Sequence, residues 1–144
     1  MANAVQNNRL TDQQIQILCG KICPYCKSES QLVFADSSKH YKYVGWFRVC
    51  RPCRAWVGCH RNTQNALGRL ANKELRVLKM EAHAAFDPIW KDGYMKRKEA
   101  YKWLSKQLDI PEQYTHIGMF GAETCKIVAR ISRFKYSQLK TNQA

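Results

Sequence analysis

The chain has 144 residues, of which 45% are hydrophobic and 11% aromatic, and it carries a formal net charge of +13 with an isoelectric point near 9.6. This length accommodates one compact domain, or a small metal module with a helical partner, and excludes a larger multidomain protein. No apolar run approaches the roughly eighteen residues that a membrane helix needs, so we expect a soluble protein.

The positive charge is unevenly distributed along the chain. No carboxylate occurs between Asp36 and Glu74, and a second acid-free tract follows Glu123. The lysines and arginines of the first tract are Lys39, Lys42, Arg48, Arg51, Arg54, Arg61, Arg69 and Lys73. Such a field favours a polyanion, and the abundant polyanions of a cytoplasm are nucleic acids. The alternative is a merely solvated basic surface, part of whose charge offsets nearby thiolates.

Residues 1–20 are predicted to be a polar N-terminal segment with one short helix. Thr11 is a typical N-cap, and the helix is expected to end at Gly20. Residues 1–22 contain no apolar core of a signal peptide, and the count of seven cysteines is odd. Both features favour reduced thiols, so we expect a cytoplasmic protein.

Two Cys-x-x-Cys pairs are the most specific signal in the sequence: Cys23 with Cys26, and Cys50 with Cys53. Each pair can turn both sulfurs to one side of a tight knuckle, and four thiolates form the closed tetrahedral set that structural zinc prefers. Since the protein fills every coordination position, the site is expected to hold structure rather than to activate water. A redox dithiol or a pair of disulfides is the alternative.

Three strands are predicted around these knuckles, over 31–35, 41–49 and 54–58, with a turn at 36–39. Three strands that carry two knuckles are typical of a zinc ribbon, which we expect at residues 21–61. Aromatic and cationic side chains alternate in it: Tyr41, Tyr43, Phe47 and Trp56 with Lys42, Arg48 and Arg54. This pattern suits single-stranded nucleic acid, because rings stack on bases while cations follow phosphates. Alternatively, the rings cover the metal site.

Other ligand-type residues lie near the quartet. Because four thiolates saturate the ion, we expect Cys19 to be a buried thiol, Cys59 to be structural and His60 to lie on the surface. Ligand exchange or a second metal site at Cys59 and His60 is the alternative.

Residues 62–134 are predicted to form a helical region packed on the ribbon, followed by a frayed basic tail over 135–144. The predicted helices run from Asn72 to about Phe86 before Pro88, from Tyr94 to Leu108, and from about Ala122 to Arg133. His83 and Asp87 are spaced for an imidazole–carboxylate contact that pins a helix. A nuclease site formed with His60 is the weakest alternative.

Six short motifs together resemble a known family. They are Cys-Pro-Tyr-Cys at 23–26, Val-Cys-Arg-Pro-Cys-Arg-Ala-Trp-Val-Gly-Cys-His at 49–60, Leu-Gly-Arg-Leu-Ala at 67–71, Ala-His-Ala-Ala-Phe-Asp-Pro-Ile-Trp at 82–90, Ala-Tyr-Lys-Trp-Leu at 100–104 and His-Ile-Gly-Met-Phe at 116–120. This series resembles a small zinc-finger-containing family of phages and bacteria with no assigned function. The resemblance implies zinc at the quartet, a ribbon followed by helices, and a phage or prophage origin.

The sequence therefore predicts an α+β protein with an N-terminal three-stranded zinc ribbon followed by a small helical region. We expect no enzymatic activity, no small-molecule substrate and no membrane contact. The expected partner is nucleic acid, either DNA or RNA, bound by Lys42, Arg48, Arg51, Arg54, Arg61, Arg69, Lys73 and Arg76. The alternative is a phage adaptor or inhibitor that uses the same charge to dock on a host nucleic-acid-processing protein in the host cytoplasm.

Overall fold

A computed structural model describes residues 10–36 and 44–142, which contain four α-helices and one three-stranded antiparallel sheet. The chain divides into two compact units, Met1–Lys73 and Glu74–Ala144. The sheet lies in the first unit, and the three longer helices follow it in the chain. The predicted fold class is therefore confirmed. No helix in the described ranges is long and apolar enough to cross a membrane.

Helix α1, Asp12–Leu18, has the N-cap that the sequence predicts. The Thr11 hydroxyl accepts from the Gln14 N–H at 3.1 Å, and the Gln14 side chain accepts from the Thr11 N–H at 2.8 Å. This capping box satisfies two donors at the start of the helix. The chain turns at Gly20, whose φ is +78°, and a Cβ there would lie 2.7 Å from the Gly68 carbonyl oxygen. Only glycine fits this close approach.

The sheet has the strand order β1–β2–β3, with β1 at Gln31–Ala35, β2 at Gly45–Cys50 and β3 at Ala55–Gly58. Val33 lies opposite Phe47, and Val49 lies opposite Trp56, so these side chains share one face. Trp56 also exchanges backbone hydrogen bonds of 3.1 and 3.0 Å with Ala71, which covers the outer edge of β3. Most of the predicted turn at 36–39 and the first residues predicted for β2, including Lys42, lie outside the described residues.

The core of the first unit is built around sulfur. Cys23, Cys50, Ala55 and Leu70 form its buried cluster, against which Cys53 and Val57 pack. Leu70 is the one large aliphatic side chain among these four. Three of its six members are cysteines, so the packing of this cluster and the arrangement of the sulfurs depend on each other.

The helices of the second part of the chain are α2 at Lys73–Lys91, α3 at Arg97–Leu108 and α4 at Ala122–Asn142. Helix α2 continues through Pro88, where the sequence predicted its end. Phe86 and Ile89 are fully buried on either side of the proline and hold this turn in place. The Pro88 carbonyl still accepts from the Asp92 N–H at 2.9 Å, so the proline removes only one helical hydrogen bond.

Helix α4 is longer than predicted, and the expectation of a frayed tail after Phe134 is wrong, because the helix continues to Asn142. Its last turns are held by contacts within the second unit. The Tyr136 hydroxyl donates to Asp92 Oδ2 at 2.6 Å, and the Tyr136 ring packs edge-on against Tyr94 with centroids 5.4 Å apart. Sequence periodicity did not reveal this long-range pairing.

Candidate metal centre

The four cysteines of the two Cys-x-x-Cys pairs form one cluster. The sulfur atoms of Cys23, Cys26, Cys50 and Cys53 all lie within 4.8 Å of one another, and those of Cys26 and Cys50 are 3.7 Å apart. An ion with four metal–sulfur distances of about 2.3 Å in a tetrahedron holds its sulfurs roughly 3.8 Å apart. The cluster therefore has the dimensions of a tetrathiolate metal site.

Each cysteine pair sits in a tight turn of the same design. In the first turn, the Cys23 N–H donates to Ser28 O at 2.8 Å, and the Lys27 N–H donates to Cys23 O at 2.9 Å. In the second, the Arg54 N–H donates to Arg51 O at 3.1 Å. The residue after each second cysteine is left-handed, with a φ of 62° at Lys27 and 52° at Arg54. This conformation reverses the chain and leaves both sulfurs of a turn on one side.

The four sulfurs differ in exposure, and the pKa values of Cys26, Cys50 and Cys53 differ from one another. Cys23 and Cys50 are buried, Cys53 is half-buried and Cys26 is exposed. Hydrogen bonds from Ser28 lower the pKa of Cys26 to about 6, whereas burial and the neighbouring thiols raise the pKa of Cys53 to about 12. Burial also raises the pKa of Cys50. The thiolate of Cys26 therefore forms readily, whereas those of Cys50 and Cys53 need a nearby cation to offset the charge of the crowded sulfurs.

The donor set fits zinc. Four thiolates in tetrahedral arrangement suit Zn²⁺, and a fully protein-filled shell is that of a structural site. Cys23 and Cys26 precede β1, whereas Cys50 is the last residue of β2. Zinc bound here would therefore join the turn before β1 to the end of β2. The predicted zinc cofactor is thus supported by geometry as well as by spacing.

Cys59, His60 and Cys19 do not join this cluster. Within residues 10–36 and 44–142, the quartet is the only group of three or more His, Cys, Asp or Glu side chains arranged to hold a metal. The Cys59 N–H donates to Trp46 O at 3.0 Å, and burial raises the pKa of the Cys59 thiol, an effect that Arg48 partly offsets. Cys19 is exposed rather than buried as predicted, because α1 turns Ile17 inward and ends at Cys19.

The predicted contact between His83 and Asp87 is present in the second unit. His83 Nδ1 lies 3.3 Å from Asp87 Oδ2, and Lys91 Nζ lies 3.9 Å from the same oxygen. Asp87 thus joins three successive turns of α2. His116 instead lies beside Tyr101, with ring centroids 6.1 Å apart. The contact between His83 and Asp87 is that of a helix-stabilising pair, and His116 is exposed beside the Tyr101 ring.

The residues predicted to contact nucleic acid differ in their exposure and in their contacts within the protein. Arg51, Arg54, Arg61 and Lys73 are exposed. Arg48 is half-buried and donates to Ser30 O at 3.2 Å, on the face of the sheet opposite Phe47 and Trp56. Arg69 and Arg76 are half-buried and have interaction partners, and Arg76 belongs to the second unit. Lys42 lies outside the described residues.

A groove in the first unit brings Trp46, His60 and Arg61 beside the rings of Phe47 and Trp56. Its volume is about 550 Å³, and its lining includes Trp46, Phe47, Trp56, His60 and Arg61. Phe47 and Trp56 meet edge to face at 5.8 Å. Trp46 was not singled out in the sequence, although its position next to Phe47 was a visible signal, and His60 was predicted to lie on the surface but not to line a groove. We call this site the β2–β3 groove.

Residues 19–135 match the family described as a zinc-finger-containing domain. The match includes all four cysteines of the cluster, spans α2 and α3, and ends within α4. No curated protein and no solved structure matches the chain significantly. Because this match covers most of the chain, the chain belongs to the zinc-finger-containing family.

Proposed function

We propose that the first unit binds nucleic acid through a basic surface that zinc holds in shape, and that it does so without catalysis. The observation that carries the proposal is the β2–β3 groove, in which aromatic rings and a cation line one concave surface of a strongly basic unit. Trp56 is 40% exposed, and Arg61 is exposed at the side of the groove. Rings of this kind stack on unpaired bases while nearby cations meet phosphates.

Charge supports the proposal. Residues 1–73 contain eleven lysines and arginines against three carboxylates, Asp12, Glu29 and Asp36. A zinc ion with four thiolates adds a net charge of about −2, which offsets only part of this excess. The remaining field attracts a polyanion and accelerates its association.

The second cysteine turn places the Arg54 side chain at the surface. A left-handed conformation costs a non-glycine residue about 1 to 2 kcal/mol, and glycine adopts it without that cost. Arg54 occupies such a position with a φ of 52° and an exposed side chain. The turn geometry accounts for this conformation, which Lys27 shares in the first turn, and it leaves the Arg54 side chain at the surface, where it can meet a phosphate.

Fluorescence anisotropy with labelled single-stranded DNA, single-stranded RNA and duplex DNA tests the proposal. We expect zinc-loaded protein to bind, with log affinity falling linearly as log salt concentration rises. The combined variant Arg51→Ala, Arg54→Ala, Arg61→Ala should weaken binding at least tenfold. The control removes the same charge from α3, with Lys98→Ala, Lys102→Ala and Lys106→Ala, and should weaken binding less.

Two results would overturn the proposal. Affinity that does not change with salt would exclude phosphate contacts, and equal losses for the two triple variants would mean that only net charge matters. If no oligonucleotide binds, the basic surface has another use, such as docking of a phage-encoded adaptor on a host protein. A stoichiometric protein partner that survives nuclease treatment of a host lysate would then identify that function.

A further inference from the structure

The second unit has a groove of its own between α3 and α4, which we call the α3–α4 groove. Its volume is about 550 Å³, and its lining consists of Trp103 and Gln107 from α3 with Arg130, Ile131, Phe134, Lys135 and Gln138 from α4. The residues from α4 extend over two turns, a length of about 12 Å along the helix axis. The groove is therefore long enough to receive a short peptide segment.

The apolar part of this groove is exposed. Phe134 is 68% exposed and Ile127 is 39% exposed, and with the half-buried Ile131 they follow one another at helical spacing along α4. Side chains at this spacing form one stripe. A stripe of large exposed apolar residues beside a groove is typical of a surface that contacts another protein.

Both charged residues in the groove lining, Arg130 and Lys135, are cations. No carboxylate occurs in residues 100–108 or 124–142, whereas these stretches contain Lys102, Lys106, Lys126, Arg130, Arg133, Lys135 and Lys140. Lys135 Nζ lies over the Trp103 ring at 5.8 Å from its centroid, so a cation stands directly at the apolar lining. The groove thus combines an apolar floor with a positive rim.

We propose that the α3–α4 groove binds an acidic segment of a partner protein that inserts one or two large apolar side chains. Its carboxylates would face Arg130 and Lys135, and its apolar anchors would pack against Ile131 and Phe134. The groove matches this ligand in charge and in polarity, as grooves that receive amphipathic helices do. This site is separate from the residues that we assign to nucleic acid.

The lining favours protein over nucleic acid as the ligand. Bases stack on flat, accessible aromatic faces, but the Lys135 ammonium already lies over the Trp103 ring. Ile131 offers no stacking surface, so the exposed Phe134 ring is without a second platform beside it on which the next base could stack. The amides of Gln107 and Gln138 lie in the lining and can pair with the backbone of a bound segment.

Panning of a displayed library of random twelve-residue peptides against the zinc-loaded full chain tests the proposal. Peptides are counter-selected on Phe134→Ser, a substitution at an exposed position that should leave the fold intact. We expect an enriched sequence class with net negative charge and at least one aromatic or large aliphatic residue. By anisotropy, the enriched peptide should bind Phe134→Ser and Arg130→Glu at least about tenfold more weakly.

The matched control is Met80→Ser, which alters a residue of α2 that is 70% exposed and should leave peptide affinity unchanged. Enrichment of peptides without acidic residues, no enrichment over the Phe134→Ser background, or an equal loss in Met80→Ser would overturn the proposal. A loss of oligonucleotide affinity in Phe134→Ser together with competition between oligonucleotide and peptide would show that nucleic acid is the ligand, which also overturns it.

Discussion

The sulfur atoms of Cys26 and Cys50 lie 3.7 Å apart, although 24 positions separate the two residues in the chain. This closeness requires both cysteine turns to be in place at once. We predict that Cys50→Ser reduces bound zinc from one ion per chain to a small fraction of that value, because three thiolates and a hydroxyl hold zinc less well. Elemental analysis of the purified protein gives the stoichiometry.

Cys19→Ser is the control for this measurement, since Cys19 is exposed and lies outside the cluster. Its zinc content should equal that of the unmodified chain. An equal zinc loss in both variants would contradict the assigned ligand set.

Removal of zinc should affect the two units differently. Structural zinc contributes about 10 to 16 kcal/mol of binding free energy in small zinc domains, which is far more than the apolar cluster around Leu70 provides. In hydrogen exchange after chelation, amides of β2 should lose protection, whereas those of α2 around Phe86 should keep it. Equal loss in β2 and α2 would show that the second unit also depends on the metal.

Phe86 should be a major source of stability in the second unit. Its side chain is fully buried and meets Tyr101 with ring centroids 4.8 Å apart. Phe86→Ala should lower the free energy of unfolding by about 3 to 5 kcal/mol through lost burial and a residual cavity. Phe134→Ala, at an exposed phenylalanine, should change it by less than about 0.5 kcal/mol in the same denaturation experiment.

Arg54→Gly separates stability from binding. Glycine relieves the left-handed backbone, so the unfolding free energy of the zinc-loaded protein should rise by up to about 1 kcal/mol. Oligonucleotide affinity should fall, because a proposed phosphate contact is lost. Lys27→Gly is the control, since Lys27 has the same conformation with a φ of 62° and is outside the proposed contacts. An unchanged affinity in Arg54→Gly would remove Arg54 from the interface.

The Tyr136 hydroxyl should lose its proton at a higher pH than an ordinary tyrosine. Its hydrogen bond to Asp92, with desolvation and the carboxylate charge, raises its pKa from 10.0 to about 12. Because the folded-state pKa exceeds the unfolded one, the stabilisation is fully present below about pH 10 and is lost as the pH rises toward 12. Carbon NMR of the tyrosine rings should show this titration, and Asp92→Ala should shift it back toward 10. A midpoint unchanged by Asp92→Ala would contradict the assigned cause.

Local patterns in the sequence predicted the features that depend on neighbouring residues. Thr11 caps α1, the strands occur near the expected positions, and His83 meets Asp87 because four residues span one helical turn. The cysteine spacing predicted the metal cluster for the same reason, because each cysteine turn is formed by neighbouring residues. Only the meeting of the two turns depends on residues that are distant in the chain.

Features that depend on distant residues were not predictable from the sequence in this way. The proline in α2 was expected to end the helix, but burial of Phe86 and Ile89 outweighs the loss of one hydrogen bond. The end of α4 depends on Asp92, which lies 44 positions away from Tyr136. The direction of Arg48 depends on the Ser30 carbonyl of a preceding segment.

The uneven exposure of the four sulfurs sets a route for metal exchange. With Cys23 and Cys50 enclosed by the protein and Cys26 open to solvent, an incoming thiol or chelator first reaches the metal beside Cys26. Departure of that one ligand would begin release, so the exchange of a bound zinc would start at Cys26 and would precede any opening of the segments that hold the other three sulfurs.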